Sequence, residues 1–260
     1  MRSKKFLAGV VTCAALFAAP AVAQEWYVGG SIGLNAQNDS DNSGQTGAFT
    51  TGNLGDGSTL DVAANTPYGW NTAFDDGLAL AAEAGLRYDN GFRSGIELVY
   101  TDADVDTHTG VTLGGGSIDA VDAAALAGAP DPLGVSVGDL VADGRGEISS
   151  TGIFANVYYD FARGSAIEPY VGAGIGFLDT DVEYAPSGVG IIDDGETKFA
   201  YQVKVGATFR ATERIDIYGE YAYRATEDIE VNNALFPGTL EIENQQNVFS
   251  IGARYRFNAL

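Results

Sequence analysis

The sequence predicts an all-β protein in which eight antiparallel strands close into an up-and-down barrel. Two observations predict it: apolar residues alternate with polar or small ones along eight segments, and the connections between these segments alternate between short and long. A closed barrel leaves no unpaired sheet edge. The predicted strands lie at about 25–35, 78–89, 92–102, 147–161, 169–179, 199–210, 214–225 and 246–257.

Residues 78–102 show the pattern most clearly. Leu80 and Leu86 share one face of the second strand, and the alternation resumes after "DNG", where Asn90-Gly91 predicts a tight hairpin turn. Short connections follow the second, fourth and sixth strands. Of the long connections, the first is polar and glycine-rich, which predicts a mobile loop, and the second predicts a short helix capped by Ser117 or Asp119 that stops at Gly128.

The amino terminus predicts export. Residues 1–23 have a basic start, an apolar middle and "AVA" before Gln24, so a signal peptide is expected to be cleaved after Ala23. Residues 24–260 then form one barrel domain. The net charge of −21 becomes −24 once the three basic residues of this leader are removed, which argues against nucleic acid as a direct partner because it would be repelled.

The character of the two strand faces distinguishes a membrane barrel from a soluble one. One face of each strand is apolar throughout, whereas the other mixes glycine with charges of both signs. An apolar exterior is intolerable in water, and a narrow eight-stranded interior can pair its ions. The predicted lumen charges are Glu83, Arg87, Glu97, Lys204, Glu220, Arg224, Arg254 and Arg256.

Aromatic residues of the apolar face cluster at both strand ends, as the interfacial girdles of a transmembrane barrel do. The long connections then become four extracellular loops and the short ones three periplasmic turns. The girdle at the short-turn end contains Trp26, Tyr88, Phe92, Tyr159, Phe161, Phe209, Tyr255 and Phe257, and the opposite girdle contains Tyr100, Phe177, Tyr201, Tyr223 and Phe249.

The chain resembles the small outer-membrane barrels of Gram-negative bacteria, of the OmpA-transmembrane-domain and opacity-protein type. The resemblance rests on the signal peptide, the eight strands, "YVGGSIGL", "PYVGAGIGF" and the terminal "ARYRF". The resemblance implies an outer-membrane location, contact with lipid and lipopolysaccharide, and recognition of Phe257 by the barrel-insertion machinery. Asn258-Ala259-Leu260 extend past that aromatic residue and depart from the family pattern. The resemblance also implies a role in adhesion or envelope integrity, with a host or cell-surface ligand for the loops.

Few residues are candidates for a catalytic or cation-binding role. Asp102, Asp104 and Asp106 share one strand face and are predicted to meet lipopolysaccharide phosphates through Mg²⁺ or Ca²⁺. The lone histidine, His108, is predicted to be a solvated loop residue, because a glycine-rich loop offers no rigid catalytic partner. We therefore expect no enzyme and no cofactor.

The glycines of "PYVGAGIGF" do not form a nucleotide loop. Gly172, Gly174 and Gly176 lack the Gly-x-Gly-x-x-Gly spacing, and no helix follows them. They are predicted to form a bare lumen face. The sequence thus favours a structural or surface-adhesion protein with acidic extracellular loops, and leaves open a small porin-like channel for ions or small solutes.

Overall fold

The computed structural model describes residues 24–257. The predicted signal peptide and the Asn258-Ala259-Leu260 extension lie outside the described residues. The described chain forms fifteen strands, two short α-helices and a 3₁₀ helix at Pro186–Gly188. The strands and α-helices are β1 (Gln24–Gln37), β2 (Ser40–Thr46), β3 (Phe49–Thr50), β4 (Asp61–Val62), β5 (Pro67–Phe74), β6 (Gly77–Tyr88), β7 (Phe92–Leu113), β8 (Gly116–Ser117), α1 (Ala124–Ala127), α2 (Val137–Val141), β9 (Gly146–Asp160), β10 (Ile167–Tyr184), β11 (Ile192–Arg210), β12 (Ile215–Thr226), β13 (Ile229–Asn232), β14 (Gly238–Ile242) and β15 (Gln245–Arg256).

Eight of these strands close into an antiparallel ring. Each neighbouring pair is antiparallel, and the ring closes where β7 pairs with β9 and β1 pairs with β15. The order around the ring is β1, β6, β7, β9, β10, β11, β12 and β15. The predicted eight-stranded barrel is confirmed. Among the described residues, no helix has the length and apolarity needed to cross a membrane.

Three barrel strands are far longer than a bilayer requires. A tilted strand of about 9–11 residues spans the hydrocarbon core, whereas β7, β10 and β11 contain 22, 18 and 19 residues. Their upper halves stand above the membrane and continue the sheet there. β5 pairs with upper β7, β2 with β5, β14 with β2, and β13 with β14. We call these upper halves, together with β2, β5, β13 and β14, the extracellular sheet.

The chemistry of the two strand faces inverts between the two levels of the molecule, while the alternation of buried and exposed residues continues. In lower β7, Leu98 points outward and Glu97 is buried inside. In upper β7, Asp104 points outward and Val105 is buried. Lipid surrounds the lower level and water the upper one, so the apolar face changes sides. The extracellular core consists of Tyr68, Trp70, Ala103, Val105, Val111, Val137, Val141, Ile148, Val182, Tyr184, Ile191, Ile192, Ile229, Val231, Phe236, Leu240 and Ile242.

The first long connection is not the mobile loop that its composition predicts. Its residues form β2 and β5, whose backbone groups pair with neighbouring strands. Ser40, Asn42 and Thr72 turn inward and hydrogen-bond to one another. Polar residues form a strand here because pairing with segments distant in sequence satisfies their hydrogen-bonding groups. Local composition does not show that pairing.

The short helix of the second connection ends as predicted but begins later. Gly128 follows α1 with φ 65°, a left-handed conformation that favours glycine. The predicted caps are wrong: Asp122, not Ser117 or Asp119, accepts the N–H of Ala124 at 2.9 Å. Asp119 instead accepts the N–H of Val111 at 2.8 Å.

Candidate functional site

Charged side chains from facing strands fill the barrel at its centre. Lys204 donates to Glu97 at 2.6 Å and to Glu220 at 2.9 Å, and all three side chains are buried or nearly so. The amides of Asn156 and Gln202 also donate to Glu97, at 2.9 and 2.8 Å. Each carboxylate oxygen of Glu97 thus has a partner, as buried charge requires.

A second group of ion pairs lies nearer the short turns. Arg87 pairs with Asp160 at 3.4 Å and with Glu168, while Arg93 pairs with Asp160 at 3.2 Å. Arg210 reaches Glu168 at 2.7 Å. Five strands, β6, β7, β9, β10 and β11, are therefore cross-linked through two shared carboxylates.

Tyrosine rings occupy the remaining space between these ions. The Arg93 guanidinium lies 4.1 Å from the ring centre of Tyr158 and 4.8 Å from that of Tyr170. Tyr27 donates to Glu83 at 2.6 Å and Tyr170 donates to Glu220 at 2.9 Å. We call this assembly the lumen plug; it comprises Tyr27, Glu83, Arg87, Arg93, Glu97, Tyr158, Asp160, Glu168, Tyr170, Lys204 and Glu220.

The eight residues predicted to face the lumen all lie inside the barrel, but they do not form one network. Arg224 bonds to Gln202 and Gln246 rather than to a carboxylate. Arg254 lies over the rings of Tyr27 and Tyr218. Arg256 forms a separate group with Asp216 and Glu25 near the short turns.

Sequence reasoning missed Arg93, Asp160 and Glu168 as plug residues. Arg93 was recognisable, since it shares the inward face of its strand with Glu97. Asp160 and Glu168 stand at strand ends beside a turn, where alternation alone does not tell a lumen carboxylate from a solvated one. The cavity beside Glu97, Lys204 and Glu220 holds only about 10 Å³, which is at the lower limit for a single water molecule.

The predicted aromatic residues lie at the two ends of the barrel wall. Phe92, Tyr159 and Phe161 contact one another edge to face at 5.2 and 5.0 Å, and Tyr255 contacts Phe257 at 5.0 Å. Tyr88 is half-buried and bonds to Ser94. At the opposite end, Phe177 packs against Phe199, Tyr201 against Tyr223 and Phe249 against Tyr221.

Charge divides sharply between the two levels. The four extracellular connections, residues 38–76, 102–149, 179–198 and 226–244, contain 26 of the 35 acidic residues and 2 of the 14 basic ones. From residue 24 onward, the rest of the chain contains 9 acidic and 9 basic residues. The barrel therefore has no net charge, and the whole net charge of residues 24–260 lies outside the membrane.

Four outward carboxylates face one another across adjacent strands above the membrane, on upper β7, the upper end of β9, upper β10 and upper β11. Asp104 is opposite Glu147, Glu147 is opposite Glu183, and Glu183 is opposite Asp193. We call this set the acidic row. Burial, together with Asp102, Asp104 and Glu183, raises the pKa of Glu147 above its ordinary value. Like charges so placed repel and favour a cation between them.

The three predicted cation-contacting residues lie beside this row. Asp102 is half-buried and accepts hydrogen bonds from the N–H of Leu78 at 2.7 Å and from Tyr100 at 3.2 Å. Asp104 and Asp106 are exposed. Within residues 24–257, no three His, Cys, Asp or Glu side chains are grouped closely enough to hold a metal ion.

His108 is buried, so the prediction of a solvated loop histidine is wrong. It is 2% exposed and lies against Tyr184, with ring centres 4.8 Å apart. An extra residue between Val105 and Thr107 forms a β-bulge opposite Phe74 and Ala73. A bulge shifts the alternation by one residue, which turns His108 into the extracellular core.

An apolar barrel wall between two aromatic bands, a paired ionic interior and a water-facing acidic sheet define a bacterial outer-membrane β-barrel. A sequence model of the outer membrane protein beta-barrel domain matches residues 9–257, and the chain belongs to that family. The expected membership of the small outer-membrane barrels, and the outer-membrane location, are confirmed.

Two relatives show how far the likeness extends. Outer membrane protein PagN of Salmonella typhimurium is 25% identical over 138 residues, which cover 49% of this chain and 55% of PagN. The match thus spans about half the length of that curated relative. OprG, an outer-membrane protein of Pseudomonas aeruginosa, superposes with a TM-score of 0.56 at 15% identity, covering 92% of this chain and 98% of OprG. This second likeness concerns the fold alone.

Proposed function

We propose that the protein is a non-catalytic surface-interaction protein, whose acidic extracellular sheet engages cationic partners on host or neighbouring cells. The observation that carries this proposal is the division of charge: 26 acidic and 2 basic residues above the membrane, on a barrel with equal numbers of each. Because the barrel has equal numbers of acidic and basic residues, the excess acid lies on the exposed part alone. A field of one sign steers oppositely charged partners and repels polyanions.

The acidic row offers a test that leaves the fold in place. Asp104→Asn/Glu147→Gln/Glu183→Gln removes three exposed charges, and Asp39→Asn/Asp41→Asn/Asp131→Asn removes three exposed charges elsewhere. Bacteria that display each variant are compared for attachment to epithelial cells and for survival in vancomycin. We expect the row variant to attach roughly threefold less, with unchanged survival, and the control variant to attach normally. Equal attachment by all three would contradict an adhesive role for the row.

We also propose that Asp104 and Asp106, with Asp102 beside them, contact lipopolysaccharide phosphates through Mg²⁺ or Ca²⁺. Their position directly above the outer aromatic band supports this proposal. EDTA is expected to lower the unfolding temperature of the wild type in lipopolysaccharide-containing liposomes but not that of Asp104→Asn/Asp106→Asn. An equal response of both proteins would rule the bridge out.

Phe257 is the proposed signal for the barrel-insertion machinery. Its N–H donates to the Trp26 carbonyl at 2.8 Å at the seam where the last strand meets the first, and its ring is exposed. Phe257→Ala is expected to reduce the amount of assembled barrel in cells, whereas Phe161→Ala in the same girdle is expected to assemble normally.

A further inference from the structure

One junction in the wall of the extracellular sheet is not closed by backbone pairing. Upper β11, residues 192–199, pairs with β10 on one edge only, because β12 begins to pair with the other edge at Ala200. β13 likewise pairs with β14 on one edge only. The two remaining edges lie side by side, yet no ladder joins them within residues 24–257. We call this contact the β11–β13 junction.

Two carboxylates bridge the β11–β13 junction in place of backbone carbonyls. Glu196 accepts the N–H of Glu230 at 3.0 Å. Asp194 accepts the N–H of Asn232 at 3.2 Å and the side-chain amide of the same residue at 2.9 Å. The two bridges run in opposite directions along the two strands, so the carboxylates occupy the place of the acceptors of an antiparallel neighbour.

These bridges are accessible to water and are not part of a continuous ladder. Asp194 and Glu196 are partly exposed, and Glu196 also pairs with Lys198 at 3.0 Å. Water competes for hydrogen bonds at exposed groups, so each bridge contributes little net stability. A backbone bond from the Ala234 N–H to the Ile191 carbonyl at 2.8 Å fastens the upper end of the junction.

The extracellular core lies directly behind the β11–β13 junction. Ile229 and Val231 of β13 and Ile192 of β11 are at most 1% exposed and belong to that core. β10 and β14, by contrast, have ladders on both edges. Segments with few backbone bonds to their neighbours open at lower free energy than segments paired on both sides. The four residues of β13 therefore separate from their neighbour more easily than those of β10 or β14.

We propose that the extracellular wall opens transiently along the β11–β13 junction, as β13 moves away from upper β11 while the membrane barrel and the rest of the sheet stay in place. The carboxylates of Asp194 and Glu196 are the latch that keeps the junction closed. In the open form, the core face of β13 meets the external medium. The apolar core is then reached from the side, without passage through the lumen plug.

Thiol accessibility measures this opening, because residues 24–260 contain no cysteine. Val231→Cys places a thiol on the core face of β13, and Val182→Cys makes the same substitution on β10; the two valines are 0% and 1% exposed in one core. In nanodiscs, a water-soluble maleimide is expected to modify the β13 thiol at least about tenfold faster than the β10 thiol. Equal rates would overturn the proposal, since they report loosening of the whole core.

Variants of the latch test how the junction is held. Asp194→Ala/Glu196→Ala removes both acceptors and is expected to speed modification of the β13 thiol by a further factor of about ten, with the β10 thiol unchanged. Asp194→Asn/Glu196→Gln keeps an acceptor oxygen at each position and is expected to retain most of the slow rate. An unchanged rate in the alanine variant would show that these carboxylates are not the latch.

The matched control removes the same charge from the neighbouring hairpin. Glu230→Ala/Glu241→Ala deletes two exposed carboxylates that lie opposite each other on β13 and β14, and it leaves both acceptors of the latch in place. We expect the modification rate of the β13 thiol to stay as in the protein with an intact latch. An acceleration as large as that of the alanine latch variant would overturn the proposal, because loss of charge rather than loss of acceptors would then explain the opening.

Discussion

At the scale of single residues, buried charge decides which substitutions the barrel tolerates. Glu97 and Glu220 share one ammonium group, that of Lys204, which is 4% exposed. Removing one member of a buried ion pair leaves the other charge without compensation in a medium that solvates it poorly. Such residues act as cross-links between strands that are distant in sequence.

Lys204→Met is expected to lower the free energy of unfolding by about 3–5 kcal/mol, because both carboxylates lose their cation. The matched control is Lys198→Met on the same strand, whose pair with Glu196 is partly exposed at 3.0 Å and worth at most about 1 kcal/mol. Urea unfolding in liposomes, followed by tryptophan fluorescence, measures both. Similar losses for the two variants would contradict a special contribution of the plug.

His108 makes the stability of the extracellular sheet depend on pH. Its pKa is about 4 in the folded protein and 6.5 in an unfolded chain, so the unfolded chain takes up a proton first as the pH falls. The neutral ring makes its full contribution to the free energy of unfolding above pH 6.5, and this contribution is lost as the pH falls toward 4. The loss amounts to about 3 kcal/mol.

The measurement is hydrogen exchange of the extracellular sheet at pH 7 and pH 4.5, compared between the wild type and His108→Phe. Asp143 is the charged group whose field acts on His108, and Thr72, Trp70 and Tyr184 pack against the ring. We expect the wild type to lose protection more steeply than the variant as the pH falls. Parallel pH profiles would show that His108 does not titrate in this window.

At the scale of elements, β10 shows what a bare strand face does. Gly172, Gly174 and Gly176 turn inward, and a Cβ atom on them would meet Tyr158, Asn156 and the Ile153 carbonyl respectively. The glycine face thus makes room for the side chains and backbone of β9, which lets a narrow barrel close. The predicted lumen side of this strand is where the structure places it.

Gly176→Ala is expected to cost about 1–3 kcal/mol of stability, because the added methyl overlaps backbone atoms of β9 that cannot move aside. Ala173→Val on the lipid face of the same strand is expected to be neutral or slightly stabilising. Urea unfolding and the heat-dependent shift in gel mobility report both effects. An equally stable Gly176→Ala protein would show that the wall is loosely packed at this point.

Within the single strand β7, the apolar residues change from the outward face to the inward face. Leu98 is 58% exposed on the lipid side, and seven residues later Val105 is 6% exposed on the opposite side. The strand itself does not change its alternation between these two residues. What changes is the solvent around it, so the same geometry requires opposite chemistry at the two levels.

At the scale of the whole molecule, two seals lie in series along the barrel axis. The lumen plug fills the membrane level with ion pairs and tyrosine rings, and the apolar extracellular core stands above it. We therefore expect purified protein to add no conductance to a planar bilayer. Tyr158→Ala/Tyr170→Ala removes two plug rings and is expected to add no conductance either, because the extracellular core still closes the barrel axis. Steady channels in the wild type would support the porin-like alternative instead.

Alternation along each strand was sufficient to predict eight membrane strands, their lipid faces and the glycine face of β10. Period-two geometry is local, so each residue's side of the wall can be counted from its neighbour. The same counting placed Glu97, Lys204 and Glu220 inside. It could not show that Lys204 serves both carboxylates, or that Arg93 lies between Tyr158 and Tyr170, because these contacts join strands far apart in the chain.

The sequence by itself thus determined the barrel, its aromatic bands and the acid excess of the long connections, since these follow from local pattern and composition. Only the tertiary structure decided that the connections fold into an extracellular sheet with an apolar core, and that His108 is buried in it. The physical reason is that strand pairing between β2, β5, β7 and β14 satisfies polar residues that look like loop when read in isolation. The bulge between Val105 and Thr107 then turns His108 inward.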